Sequence, residues 1–332
     1  MKKIAVVLLN WNGVTLLQQF LPTVVKYSAE ATIYIADNAS TDESKQFVNQ
    51  HFKDVKWIQL SENYGYAKGY NEALRQVDEE YLCLLNTDIE VTEHWLQPII
   101  NLFDKKKNVG IVQPKILDFN NKGFFEYAGA AGGFIDKYGF PFCRGRIFDT
   151  IEKDENQYLS HEIFWASGAC FFIRNSVFKQ LNGFDEDFFA HQEEIDLCWR
   201  AFNQNMTVYY CNESLVYHVG GATLKKSNPK KTFLNFRNSL FMLYKNLPVK
   251  QRFPIIFKRL CLDGLAGIKL FVSLQPLHTF AIVKSHFAFY AALPKLKNKR
   301  ALQTKPSYFY TPNIVFSYFL KSKKSFKQLY FI

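Results

Sequence analysis

The segment Tyr81-Leu82-Cys83-Leu84-Leu85-Asn86-Thr87-Asp88 constrains this chain more than any other. An apolar run stops abruptly at an amide, a hydroxyl and a carboxylate. A strand buried on both faces delivers polar groups to the rim of its sheet in this way. In open α/β sheets the carboxyl ends of strands are where ligands bind. An acid at such a rim, followed by Ile89-Glu90-Val91 and a new helix, suits a divalent cation carrying a phosphorylated substrate. Read alone, the octapeptide equally suits an Asp that caps an ordinary loop.

The pattern recurs upstream. Residues 4–9 form a continuous apolar run closed by the turn signal Asn10-Trp11-Asn12-Gly13. Residues 32–36 end in Asp37-Asn38-Ala39, and Ser40-Thr41-Asp42-Glu43 offers a capping box that predicts a helix opening near Ser40. Residues 56–60 end in Ser61-Glu62-Asn63, after which Tyr70, Ala73, Leu74 and Val77 recur at helical spacing. Four alternations of strand and helix predict an α/β fold with a parallel sheet wrapped by helices. A dinucleotide-binding Rossmann domain would carry Gly-x-Gly-x-x-Gly after its first strand. Here that stretch has one glycine, Gly13, and Gly-x-x-x-x-Gly-Lys is absent too. A nucleotide is therefore expected to meet side chains and a metal.

Taken in order, Val6-Val7-Leu8-Leu9-Asn10-Trp11-Asn12-Gly13, Asp37-Asn38-Ala39-Ser40-Thr41-Asp42, Asn63-Tyr64-Gly65-Tyr66-Ala67-Lys68-Gly69-Tyr70-Asn71 and Leu84-Leu85-Asn86-Thr87-Asp88 resemble the successive motifs of family 2 glycosyltransferases. The likeness is strongest to the rhamnosyltransferase-like branch that builds bacterial surface polysaccharides, and it covers roughly residues 3–250. It implies the GT-A fold, a Rossmann-like and mostly parallel sheet flanked by helices, and inversion at the anomeric carbon. It also implies that Asn10, Asn12, Asp37, Asn38, Asn63, Gly65, Lys68, Gly69, Asn86, Thr87 and Gly168 surround a nucleotide-sugar donor. Asp37 would contact base and ribose, or else cap the helix near Ser40. Gly65 and Gly69 would let backbone approach the nucleotide, or serve the turn alone. The family's Asp-x-Asp reads Asn86-Thr87-Asp88, which leaves Asp88 as the one carboxylate for Mg²⁺ or Mn²⁺.

A second cluster follows a hundred residues later. Trp165-Ala166-Ser167-Gly168-Ala169-Cys170-Phe171-Phe172-Ile173 reads as a tight turn feeding a strand. Ile195, Cys198, Trp199 and Phe202 then mark an amphipathic helix with Glu193 and Glu194 in its first turn, where the helix dipole favours ionised carboxylates. In glycosyl transfer an acceptor hydroxyl loses its proton as it attacks, and a placed carboxylate can take that proton. The family's Glu-Asp-x-Asp reads Glu193-Glu194-Ile195-Asp196 here, so the resemblance puts Glu194 at the base position, with Glu193 an alternative. Asp196 belongs to the same catalytic candidates, although its spacing from Arg200 predicts an ion pair on one helix face. His218 ends an apolar run and precedes Gly220-Gly221-Ala222-Thr223. The resemblance makes it a second metal ligand; a lone histidine can also be purely structural.

Charge divides the chain. Residues 1–221 hold 20 Lys and Arg against 29 Asp and Glu, whereas residues 222–332 hold 21 against a single acid, Asp263. The expected division is a catalytic domain over residues 1–225 and a basic, aromatic-rich helical region over 226–332. In the latter, Phe233, Phe236, Leu240, Leu243, Tyr244 and Leu247 form one helical stripe ended by Pro248. Residues 270–283 are apolar but fall short of the roughly 20 residues needed to span a bilayer. Basic amphipathic helices lying on an anionic membrane surface fit this composition, with a lipid-linked glycan as acceptor; a plain helical subdomain is the alternative. No nucleic-acid motif accompanies the basic stretch, so no nucleic-acid partner is expected. Six cysteines without metal-type spacing and no recognisable signal peptide point to a cytoplasmic protein at the inner face of the plasma membrane. Two functions stay open: sugar transfer from a dTDP-rhamnose or UDP-sugar type of donor, or non-catalytic nucleotide-sugar binding, allowed by Asn86 and Glu194.

Overall fold

The computed structural model describes residues 2–220 and 228–329. The predicted glycine pair is split by this limit: Gly220 is described, and residues 221–223 lie outside the described residues. Strand β1 (Ile4–Asn10) is buried along nearly its whole length. Ile4, Val6 and Leu8 point into one apolar core while Ala5 and Val7 point into another, so the sheet is covered on both faces. Then come α1 (Val14–Tyr27), β2 (Ala31–Asp37), α2 (Ser44–His51), β3 (Lys56–Gln59), α3 (Gly65–Leu74) and β4 (Tyr81–Leu85). The four strands run parallel in the order β4-β1-β2-β3, as the alternation predicts. Register sets Asn10 beside Asp37 and Leu8 beside Leu85, which lines the polar strand ends along one rim.

The chain continues through β5 (Ile89–Val91), α4 (Gln97–Lys105) and β6 (Val109–Asp118). A separate antiparallel sheet is made by β7 (Gly133–Ile135), β8 (Pro141–Cys143), β9 (Arg146–Ile147) and β10 (Thr150–Ile151). After β11 (His161–Ile163), β12 (Cys170–Arg174), α5 (Asn175–Gln180), α6 (Glu193–Asn203) and β13 (Thr207–His218), the central sheet has the order β11-β13-β6-β12-β4-β1-β2-β3, with β5 paired to β13. β12 lies antiparallel between β4 and β6. That direction matters for the site: the beginning of β12 meets the end of β4, and the Asn86 N–H donates to the Ala169 carbonyl at 2.9 Å.

Four helices follow: α7 (Pro229–Asn246), α8 (Val249–Val272), α9 (Pro276–Asn298) and α10 (Ile314–Phe319). Leu240, Leu243 and Leu247 of the predicted stripe are fully buried, and the helix stops just before Pro248. Phe289, Tyr308, Ile314 and Phe326 join the core that holds Ile135, Phe142 and Trp199; the Trp199 and Tyr308 rings stack 4.7 Å apart. The basic region is therefore packed into the catalytic part. Among the described residues no helix is long and apolar enough to cross a membrane. All six cysteines are free; five are buried and Cys261 is exposed.

The capping box does not form. Helix α2 begins at Ser44, four residues after the expected start. The Ser40 hydroxyl instead donates to the buried Asp37 carboxylate at 2.6 Å, a stronger acceptor geometry than a helix cap provides. Asp42 serves the helix starts, accepting from the Ser44 N–H at 3.1 Å and from the Val14 N–H of α1 at 2.9 Å.

Candidate active site

The rim gathers the predicted residues from separate elements. Asp88 follows β4 and is 3% exposed; His218 ends β13 and is 5% exposed. The β13–β5 pairing sets His218 beside Ile89, and the Val219 N–H donates to the Asp88 carbonyl at 3.2 Å. The His218 Nε2 lies 3.2 Å from Asp88 Oδ1, while its Nδ1 lies 3.3 Å from Glu126 Oε1. Burial alone would push the imidazole down, but the hydrogen bonds to the two carboxylates outweigh it and hold His218 up at about 10.

Once the imidazolium gives up its Nε2 proton, this donor set fits one divalent cation. A carboxylate and an imidazole face each other, phosphate and water oxygens can complete the shell, and Glu126 can hold the far ring nitrogen as an outer carboxylate holds a metal-bound histidine. Among the described residues no group of three or more His, Cys, Asp or Glu side chains is arranged to hold a metal ion by itself. Glu126 escaped the sequence reading because it lies in no motif and reaches His218 only through the loop after β6.

Of the proposed acid pair, Glu194 lies beside the Gly168 turn. A Cβ added to Gly168 would sit 2.9 Å from the Tyr66 hydroxyl and 3.9 Å from the Glu194 carboxyl carbon. That hydroxyl already donates to the Gly168 carbonyl at 2.7 Å. Residues 86, 168 and 194 thus share one neighbourhood. Glu194 is half-buried and its Oε2 accepts no hydrogen bond; Glu193 is 4% exposed and also has a free Oε2. The expectation that the helix dipole keeps both ionised is corrected here. Burial dominates: it raises Glu194 to about 7, and burial plus the neighbouring Glu194 raise Glu193 well above the usual carboxylate range. Of the two, Glu194 is the less buried, although its Oε2 is itself enclosed.

Asp196 takes no place in the cleft, which corrects its inclusion among the catalytic acids. It is fully enclosed and accepts from Arg200 Nε at 2.8 Å, Lys245 Nζ at 2.9 Å and Asn246 Nδ2 at 2.8 Å. The predicted pair with Arg200 exists within α6, and the bonds from Lys245 and Asn246 tie α6 to α7. Lys245 also meets Asp185 at 2.6 Å; although burial opposes it, the Lys245 and Lys299 ammonium groups hold the Asp185 carboxyl below the usual range.

The loop that aims Glu194 is held from α7. Phe189, His191 and Gln192 all have positive φ, at 64°, 71° and 70°, a conformation that costs on the order of 1 kcal/mol or more for each such residue. The Asn238 side-chain amide donates to the carbonyls of Phe188, Ala190 and His191 at 3.0, 2.9 and 2.7 Å. Gln192 and Ser239 exchange hydrogen bonds at 2.8 and 2.9 Å. Asn238 is wholly buried, on the side of α7 opposite the predicted stripe, where the sequence carried no signal of its role.

The donor-side residues divide into open and occupied groups. Asn12 and Asn63 are exposed at the rim, and Lys68 lies with its ammonium 4.0 Å over the Tyr64 ring. Thr87 and Asn86 are half-buried beside Asp88. Asp37 is 2% exposed, and its carboxylate accepts from Asn10, Ser40 and Gln59 side chains and from the Ser40 N–H. Asn10 is wholly buried, and Asn38 bridges the Tyr64 N–H and Gly65 carbonyl at 3.0 Å each. Gly65 has φ 73°. A Cβ on Gly65 would meet the Phe189 ring at 3.0 Å, and one on Gly69 would meet Asn38 and Leu9 at 3.1 Å. Both glycines are therefore needed for packing, whatever else they serve.

A family model described as Glycosyl transferase family 2 matches residues 5–182. The chain is 25% identical over 219 residues to a low-salt glycan biosynthesis hexosyltransferase of Haloferax volcanii, covering 64% of this chain and 67% of that one. It is 24% identical over 228 residues to an N-acetylglucosaminyl-diphospho-decaprenol L-rhamnosyltransferase of Mycobacterium tuberculosis, covering 62% and 73%. In fold it is similar to GalNAc-T7 solved with UDP, GalNAc and Mn²⁺, with a TM-score of 0.59 at 16% identity over 74% of this chain and 48% of that one.

Proposed function

The chain belongs to glycosyl transferase family 2, and on that premise we propose that it moves a sugar from a dTDP-rhamnose or UDP-sugar type of donor to a glycan acceptor in cell-surface polysaccharide synthesis. The observation that carries this reading is the buried carboxylate–imidazole pair Asp88 and His218 at the strand ends, with the neighbouring Asn86 bonded to the turn whose Gly168 lies beside Glu194. Two relatives are a hexosyltransferase and a rhamnosyltransferase whose name gives a polyprenol diphosphate sugar as acceptor. A lipid-linked acceptor at the inner face of the membrane suits a chain whose last 111 residues carry one acid.

In this reading Asn12, Asn63 and Lys68 receive the nucleoside at the open side of the rim, with Asp37 reached once Gln59 yields its hydrogen bond. Asp88 and His218 would hold Mg²⁺ or Mn²⁺, which supplies charge to stabilise a departing nucleoside diphosphate. Glu126 holds the His218 ring in orientation. The Glu194 carboxylate accepts the proton of the acceptor hydroxyl as that oxygen attacks the anomeric carbon from the face opposite the diphosphate. One displacement of this kind inverts the configuration, and no covalent intermediate on the protein is required. The second reading, a nucleotide-sugar-binding protein without turnover, is favoured by one observation: Asn86 stands where the family places an acid. A panel of nucleotide sugars tested with Mn²⁺ and a lipid-linked acceptor separates the two. Sugar transfer that disappears in Glu194→Gln supports the first; donor binding without transfer or hydrolysis supports the second.

A further inference from the structure

The α8–α9 hairpin is apolar on the side it buries and on the side it shows to solvent. Helix α8 packs inward through Ile255, Ile256 and Gly267, and α9 through Ala281, Ile282 and Phe289. On the opposite side of α8, Val249, Phe253, Phe257, Leu265, Ile268 and Val272 recur every three to eight residues, each 59–81% exposed. On α9, Leu277, Phe280, Val283, Phe287 and Tyr290 do the same, 48–72% exposed. A helix with a water-facing side ordinarily carries charge there. At the tip, Leu274 adopts φ 59°, a position that favours glycine, yet presents a leucine that is 90% exposed. A contiguous exposed apolar surface of this kind marks a docking site.

Charge selects the occupant. Lys250, Lys258, Lys269 and Lys284 are exposed and adjoin members of the two stripes in sequence. The one acid of the region, Asp263, is fully buried and neutralised by Arg259 at 2.7 Å. A second copy would bring the same cations against these, and a neutral groove would leave them without partners. An anionic lipid leaflet accepts both features. We infer that the hairpin lies in the plane of an anionic leaflet with the outer stripes of α8 and α9 immersed among the acyl chains and the lysines at headgroup level. This rests on the membrane-bound acceptor proposed above and adds insertion to it. Helix α9 packs on α7, whose Asn238 holds the Glu194 loop. A seated hairpin therefore fixes the base relative to the bilayer, where a lipid-linked hydroxyl must arrive.

The test is co-sedimentation of the full chain with phosphatidylglycerol/phosphatidylcholine vesicles, at low salt and at about 1 M salt, where exposed charges are screened within a few ångströms. The wild-type protein should bind and stay largely bound in high salt. F253S/F257S/F280S/F287S changes only exposed side chains; it should melt like the wild type and bind about a hundredfold more weakly, with the remainder released by salt. Phe280→Trp should be quenched by lipids brominated along the acyl chains. Binding that salt abolishes in the wild type, with no loss in the fourfold variant and no quenching, overturns insertion and leaves surface attachment standing. No binding to any vesicle overturns both. A wild-type dimer that the fourfold variant converts to monomer, without vesicle binding, overturns the inference in favour of self-association.

Discussion

Replacing Glu194 by Gln removes a charge that the fold does not welcome, and two effects of opposite sign should follow. Burial holds this carboxyl at about 7, against 4.5 for a free glutamate. In that window the folded chain binds a proton that the unfolded chain has already lost, so stability falls as pH rises from about 4.5 through 7. At about pH 8.5 the ionised carboxylate costs the fold on the order of 3 kcal/mol, at 1.36 kcal/mol for each tenfold change in proton affinity. Gln keeps the shape and cannot ionise. The variant should melt a few degrees higher than the wild type at about pH 8.5 and at the same temperature near pH 4.5. Transfer should meanwhile fall by roughly 10²–10⁴, the usual contribution of a general base, with donor affinity unchanged. Paired melting curves at the two pH values and a steady-state transfer assay read both effects. A variant that gains nothing at high pH, or that keeps more than about a tenth of the rate, would refute the assignment.

Four further outcomes are expected. The wild-type transfer rate should decline about tenfold per pH step below 7, as Glu194 takes up its proton; a rate flat from about pH 5 to 8 would point to another base. Asp88→Ala should abolish the Mn²⁺-induced thermal shift in the presence of a nucleotide sugar, and an undiminished shift would remove Asp88 as a ligand. Glu126→Gln should weaken Mn²⁺ binding by about 10–100-fold, measured by calorimetry, because the His218 ring loses its orienting carboxylate. Lys245→Met leaves Asp185 and Asp196 buried without their shared cation and should destabilise the chain by about 3–5 kcal/mol in denaturant titration.

How far the letters reach can be seen residue by residue. The parallel half of the sheet was legible because a strand covered on both faces must be apolar throughout, and residues 4–9 and 81–85 announce this. The Asp88–His218 pairing was legible only through motif order, since β4 and β13 are joined by no local signal. Glu126 and Asn238 were not legible: each acts across the fold, through a histidine ring and through three carbonyls of a strained loop. The ionisation of Glu193 and Glu194 was misjudged because the dipole of a helix start is visible in a sequence and the depth of its burial is not. For the same reason Ser40 looked like a cap until the neighbouring Asp37 carboxylate claimed its hydroxyl.

One crystallographic experiment addresses the shared cleft directly: the Glu194→Gln protein soaked with Mn²⁺ and a nucleotide sugar that it binds, with anomalous data collected for manganese. The anomalous peak should fall between the Asp88 carboxylate and His218 Nε2, bridged to the donor diphosphate, with the anomeric carbon turned toward residue 194. Manganese bound elsewhere, or a sugar facing away from residue 194, would contradict the account.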